Sequence, residues 1–167
     1  MLEIKEVSPE LATEFFRRDP SLCYLGLPDE ALTNLMADDN YILFKDCPSY
    51  LWGIYIEGNL ISVVKYELFT SQTINLHIYL CSYMFDSGAF QKIQESLKQH
   101  IIDNTPYIKV IIMCPETCLH IQKSAESYGF VKEGTIPKCI VWRTELTGII
   151  IYGLSIDRES GESCQQQ

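Results

Sequence analysis

Ala125-Glu126-Ser127-Tyr128-Gly129-Phe130-Val131-Lys132-Glu133-Gly134 decides the fold. Gly129 stands where a helix opened by Pro115 has to stop, because glycine enters the left-handed conformation of a helix C-terminus without a Cβ penalty. A strand follows at Glu133–Trp142, and Gly148–Leu154 returns beside it as a hairpin through Arg143–Thr147. Upstream, Tyr107–Met113 is a near-continuous apolar run of strand length, the pattern of a parallel strand buried on both faces. Before it, Phe90, Ile93, Leu97 and Ile101 recur at helical spacing over about Ser87 to Ile102.

Towards the N-terminus the period changes to two. Thr73–Leu80 sets Ile74, Leu76, Ile78 and Leu80 against Asn75, His77, Tyr79 and Cys81. Tyr50–Ile56 and Leu60–Phe69 are strands joined by Glu57-Gly58-Asn59, a hairpin signal. Leu2–Val7 alternates as a strand. Ser8-Pro9-Glu10 then supplies an N-cap, a proline at the first helical position and an acid beside the helix dipole. The helix runs to about Arg18 with Leu11, Phe15 and Phe16 as its apolar face. Pro28-Asp29-Glu30 opens a second helix carrying Ala31, Leu32, Leu35 and Met36, and Asn40–Lys45 also reads as a strand. The element order is β-α-α-β-β-β-α-β-α-β-β, an α/β (α+β) arrangement with parallel pairing in its β-α-β-α middle and antiparallel hairpins outside. Residues 1–156 form one domain, and the polar stretch 157–167 reads as a mobile tail.

Composition narrows the function. The chain has 167 residues, 47% hydrophobic and 21% charged, enough for a core without staples. A net charge of −9 argues against a general nucleic-acid binder, which needs Lys and Arg to displace counterions. The imbalance is local: residues 1–60 hold eleven acidic and four basic side chains, the remainder eleven and nine. That acidic third would repel anions and attract amines or a basic protein surface. No apolar run approaches the ~20 residues of a membrane helix, and Met1–Val7 lacks the basic and apolar regions of a secretory signal. Seven cysteines, odd in number and irregularly spaced, point to reduced thiols and a cytoplasmic setting.

A helix ending in Gly129-Phe130, a strand opening with Glu133-Gly134, and the hairpin from Trp142-Arg143 through Ile149-Ile150-Ile151-Tyr152-Gly153-Leu154 resemble the GNAT superfamily of N-acetyltransferases over about residues 2–156. The resemblance implies a mixed, strongly twisted sheet of about seven strands with helices on both faces, the fourth and fifth strands parallel and parting at their ends. Within the superfamily the chain is most similar to phage-encoded members. These share a His on the fourth strand, a segment like Asn104-Thr105-Pro106-Tyr107-Ile108-Lys109 and a proline after the fifth strand; they include head-assembly proteins of lambdoid short-tailed phages.

The resemblance also implies a cofactor loop. GNAT enzymes hold the coenzyme A pyrophosphate on a run of Gln or Arg, two variable residues, Gly, one variable residue, then Gly or Ala. Small residues let backbone N–H groups reach the phosphates at a helix N-terminus. The corresponding segment here involves Leu80, Ser82, Phe85, Asp86, Ser87, Gly88, Ala89 and Phe90. With Gly88 as the central glycine, Phe85 replaces Gln or Arg and Phe90 replaces the last small residue. Shifted by one, Ala89 fits but Ser87 replaces the glycine. Asp86 puts a carboxylate where the phosphates would lie, and no Lys or Arg occurs between Gln72 and Gln91. A plain reading makes Asp86 or Ser87 a helix cap and Gly88 a turn residue.

Many GNAT enzymes protonate the departing thiolate with a Tyr on the helix before Gly-Phe; that position is Ala125 here, and the Asn often found seven residues earlier is Cys118. His77 and Tyr79 share one strand face, and His77 titrates near neutrality, so the pair are the candidate catalytic residues if the protein is active. The competing reading is a hydrogen-bonded His and a packed Tyr within a sheet. Glu67 and Glu57 are weaker base candidates. Cys114, Cys118 and His120 lack a second Cys/His pair at zinc spacing, so no metal is expected. Beside a generic small-molecule sensor using the cleft between the parting fourth and fifth strands, two functions stay open. One is a phage head-assembly factor on a GNAT scaffold, binding a protein partner in the host cytoplasm or virion with acetyl-coenzyme A binding weak or lost. The other is an active acetyl-coenzyme A-dependent N-acetyltransferase.

Overall fold

The computed structural model describes residues 1–18, 29–45, 50–80, 89–142 and 144–156. Its elements run β1 (Leu2–Glu6), α1 (Pro9–Arg18), α2 (Asp29–Ala37), β2 (Tyr50–Ile56), β3 (Asn59–Thr70), β4 (Thr73–Leu80), α3 (Ala89–Asn104), β5 (Lys109–Pro115), α4 (Leu119–Ser127), β6 (Val131–Trp142) and β7 (Glu145–Ser155). This is the β-α-α-β-β-β-α-β-α-β-β order read from the sequence, without the additional strand expected at Asn40–Lys45. The predicted tail at 157–167 lies outside the described residues.

The seven strands form one mixed sheet in the order β1-β2-β3-β4-β5-β7-β6. β4 and β5 are parallel over three pairs, Thr73 with Lys109, Ile74 with Val110 and Asn75 with Ile111, a ladder shorter than either strand. β1–β2, β2–β3, β5–β7 and β6–β7 are antiparallel. The chain divides into two compact units, residues 1–67 with 76–100, and residues 68–75 with 101 onward.

In the first unit, Ser8 caps α1 by accepting the Leu11 N–H, and α1 packs on β2 and α2. Phe15 and Phe16 are buried with Ala12 and Thr13, whereas Leu11, expected on that face, is exposed. Full burial of a side chain like Phe16 is worth about 2–3 kcal/mol. The β2–β3 hairpin turns through Glu57 and Gly58, with φ of 51° and 82°. Two consecutive positive φ values give the turn whose twist matches the strands. Tyr50 stacks on Tyr66 at 4.8 Å, and Trp52 lies 4.2 Å from Tyr66 and 4.8 Å from His100 of α3.

Asn40–Lys45 is not a strand. It is a run of turns whose backbone is satisfied by α1 instead of a neighbouring strand. Leu43 donates its N–H to Thr13 Oγ1 at 2.8 Å, and Arg17 Nη2 donates to the carbonyls of Asp38 and Tyr41 at 3.0 and 2.9 Å. The apolar pair that suggested a strand, Leu43 and Phe44, packs inward from this loop, and Phe44 takes φ of 65°.

In the second unit, Pro115 ends β5 opposite Ile149 and does not open a helix; α4 begins at Leu119 after Cys118. Its end is the one the sequence foretells. Gly129 has φ of 82°, its N–H donates to the Glu126 carbonyl, and the Phe130 N–H donates to the Ala125 carbonyl, both at 3.1 Å. Phe130 then packs on a buried cluster of Cys114, Ala125, Ile150 and Tyr152. The edge strand β6 is exposed along most of its length. Pro137, a register shift between Ile136 and Ile140, and Lys138 at φ of 47° interrupt its pairing edge.

Candidate functional site

β3 and β4 are neighbours in the sheet, and residues two apart on a strand share a face. This places Lys65 and Glu67 of β3 with His77 and Tyr79 of β4. Lys65 Nζ lies 2.7 Å from Glu67 Oε1, and His77 Nε2 lies 3.7 Å from Glu67 Oε2. The Lys65 side chain is 15% exposed, Glu67 38% and His77 32%. Lys65, hydrogen-bonded to it, holds the Glu67 carboxyl below the usual range. Burial, then the Lys65 charge, pull the His77 imidazole below its ordinary value, against the opposing pull of Glu67. His77 is therefore neutral at pH 7 and able to accept a proton.

Tyr79 is a core residue. It is 2% exposed, with its ring edge-on to Phe16 at 4.9 Å and tilted to Phe44 at 6.4 Å. Its carbonyl accepts from buried Ser62 at 2.8 Å. Tyr79 is thus packed in the core, while His77 keeps partial solvent access. Sequence reasoning did not single out Lys65, and it placed Glu67 among the weaker base candidates. The spacing of Lys65 and Glu67 on a strand next to a His-bearing strand was the available signal, but the register that joins them was not.

Of the residues assigned to a coenzyme A loop, Ser82, Phe85, Asp86, Ser87 and Gly88 lie outside the described residues. Leu80 closes β4, and Ala89 and Phe90 open α3. The position expected to hold an acid is described. Ala125 is 4% exposed inside the cluster with Cys114, Ile150 and Tyr152, and Cys118 is buried beside α4. Tyr152 donates to Glu126 Oε1 at 2.9 Å. Burial first, then the hydrogen bond and charge of Glu126, push its phenol up to about 12. Ala125 has no proton to give, and the Tyr152 hydroxyl is committed to the Glu126 carboxylate. Among the described residues no group of three or more His, Cys, Asp or Glu is placed to hold a metal, and no helix is long and apolar enough to cross a membrane.

No family model matches the chain, and no curated protein matches it. Solved structures do. A chimera of the Vibrio cholerae spermidine N-acetyltransferase and hSSAT superposes with a TM-score of 0.74 at 13% identity, covering 93% of this chain and 95% of the other. A ribosomal L7/L12 alpha-N-protein acetyltransferase in complex with coenzyme A gives 0.70 at 12%, covering 93% and 94%. A putative phosphinothricin N-acetyltransferase gives 0.66 at 15%, covering 95% and 100%. The chain has the GNAT fold along nearly its whole length.

Proposed function

We propose that this protein uses a GNAT scaffold to bind another protein and does not turn over acetyl-coenzyme A at an enzymatic rate. The observation that carries this is Ala125, sealed in the core at the position where the resembled enzymes place their acid, with Tyr152 locked to Glu126 beside it. The loop sequence Phe85-Asp86-Ser87-Gly88-Ala89-Phe90 adds a like charge and two bulky rings at the pyrophosphate position. The finer reading, a head-assembly factor that binds phage structural proteins in the host cytoplasm, rests on the sequence resemblance alone.

Calorimetric titration with acetyl-coenzyme A is the test, beside the triple variant Phe85→Arg, Asp86→Gly, Phe90→Gly and a thermal melt of each. Wild type is expected not to saturate below about 1 mM, a binding free energy of only about 4 kcal/mol. Micromolar binding together with thiol release in the presence of spermidine or an N-terminal peptide would overturn the proposal.

The Lys65–Glu67–His77 cluster favours a second reading, N-acetyl transfer to an amine. A neutral His77 would take the amine proton, and the acidic N-terminal third would attract the cationic acceptor. Loss of thiol release on His77→Gln, with the melt unchanged, would support it.

A further inference from the structure

We propose that Lys65 and His77 compete for one carboxylate, Glu67, and that Lys65's hold on it makes the His77 imidazole a weaker base than Glu67 alone would leave it. The geometry is asymmetric. Glu67 offers Oε1 to Lys65 at 2.7 Å, a charge-assisted hydrogen bond, and Oε2 to His77 at 3.7 Å, beyond hydrogen-bond range. Lys65 is the most buried of the three, and its ammonium sits 5.7 Å from the Phe44 ring centroid. A charge shielded this way is screened less by solvent than a free surface lysine. The described charges that act on His77 are Lys65 and Glu67, both on β3. Removing Lys65 would delete a like charge and leave the Glu67 carboxylate, 3.7 Å from the imidazole, without that competing cation. Both changes favour imidazolium.

Lys65 is thus a positioning residue that acts on His77 through its own charge and through its hold on Glu67. Its functional meaning rests on the acetyl-transfer reading, where an imidazolium could not accept the amine proton. The electrostatic claim stands or falls without any activity.

The experiment is an NMR titration of the imidazole resonances of His77, His100 and His120 from pH 4.5 to 8.5 (a ~4-unit span around the ordinary His range). It compares wild type with Lys65→Met, Lys65→Arg and Glu67→Gln. Lys65→Met is expected to raise the His77 midpoint by about one unit, and Lys65→Arg to keep it near wild type. Glu67→Gln, which leaves the lysine charge unopposed, is expected to lower it. His100 and His120 should not move. A His77 midpoint that fails to rise in Lys65→Met, or rises equally in Lys65→Arg, overturns the proposal. If Lys65→Met does not fold, the downward shift in Glu67→Gln decides, and an unchanged or raised midpoint there overturns it. Thiol release with an amine is followed in parallel. Its absence removes the acetyl-transfer reading alone, because the midpoints are read independently.

Discussion

Tyr152 on β7 reaches across to α4 and donates its hydroxyl to Glu126 Oε1 at 2.9 Å, in the turn that also carries Ala125. The ring fills the same buried cluster as Ala125 and Cys114, so the room a larger residue would need at position 125 is already taken. Glu126 faces out to bind the hydroxyl, and Ala125 faces in to meet the ring. One residue of helix rotation thus separates a hydrogen-bonding position from a packing position.

Ala125→Tyr should therefore destabilise the protein by about 1–3 kcal/mol or more through overpacking, without conferring acetyl transfer. Tyr152→Phe should cost about 1–2 kcal/mol by removing a hydrogen bond to a carboxylate. Urea denaturation measures both. An Ala125→Tyr variant as stable as wild type and newly active would show that the position is open and the acid reading wrong.

Acid should destabilise the protein in two overlapping ranges. The His77 value is lowered from 6.5, so the unfolded chain takes up its proton first. The stability this contributes is present above 6.5 and is lost as pH falls towards the folded value. The Glu67 value is lowered from 4.5, so its contribution is present above 4.5 and is lost at lower pH. Melting temperatures followed from pH 8 to pH 4 (~4 units, the span of ordinary His and Glu titration) should fall more steeply in wild type than in His77→Gln between the two ranges. Parallel curves would remove His77 from the account.

Local chemistry explains which parts of the structure were legible. The end of α4 was readable at Gly129-Phe130 because a left-handed glycine and its two hydrogen bonds are set within six residues. β4 was readable because its alternation runs unbroken from Thr73 to Leu80. Asn40–Lys45 misled because Leu43 and Phe44 look like strand residues, while the Thr13 and Arg17 groups that hold them in a loop are 24 to 30 positions away. Pro115 misled in the same way: a proline that can open a helix can also end a strand, and its pairing with Ile149 decides which. For the candidate site, His77 was visible by residue type alone. Lys65 was not, since its role depends on which strand lies beside which.

Two glycines of β7 should differ sharply in tolerance. A methyl group at Gly153 would meet first the carboxylate of Glu133, the flexible end of a side chain that also pairs with Lys109 at 2.7 Å. Moving that carboxylate forfeits a partly exposed ion pair, so Gly153→Ala should cost ~1 kcal/mol or less. At Gly148 the methyl would meet the Ile136 carbonyl at 2.9 Å as well as the Glu116 carboxylate, and Ile136 is held in the ladder by its pairing with Ile149. Gly148→Ala should cost about 2–3 kcal/mol. Urea midpoints of the two variants test the ranking, and an equal or inverted order would mean that β6 yields more readily than its pairing to β7 implies.

The described thiols should separate by reactivity. Cys139 is exposed on the edge strand, its Sγ 3.2 Å from the Ile136 carbonyl, whereas Cys114 and Cys118 are buried. Burial, with a smaller effect from Cys118, pushes the Cys114 thiol up to about 11. At pH 8 only roughly one Cys114 in a thousand would be thiolate, the form that attacks, and the surrounding core blocks approach as well. Pulsed alkylation with peptide-resolved mass spectrometry should find Cys139 modified at least ~100-fold faster than either buried thiol. In 8 M urea, with roughly all of the core opened, the three rates should converge. The comparison also tests the packing beside Ala125, because Cys114 belongs to that cluster. If native Cys114 reacts as fast as Cys139, the cluster opens on the labelling timescale, and position 125 is accessible after all. If Cys114 and Cys118 are recovered joined to each other, the expectation of reduced thiols fails, and a covalent bond rather than packing fixes the turn from β5 into α4.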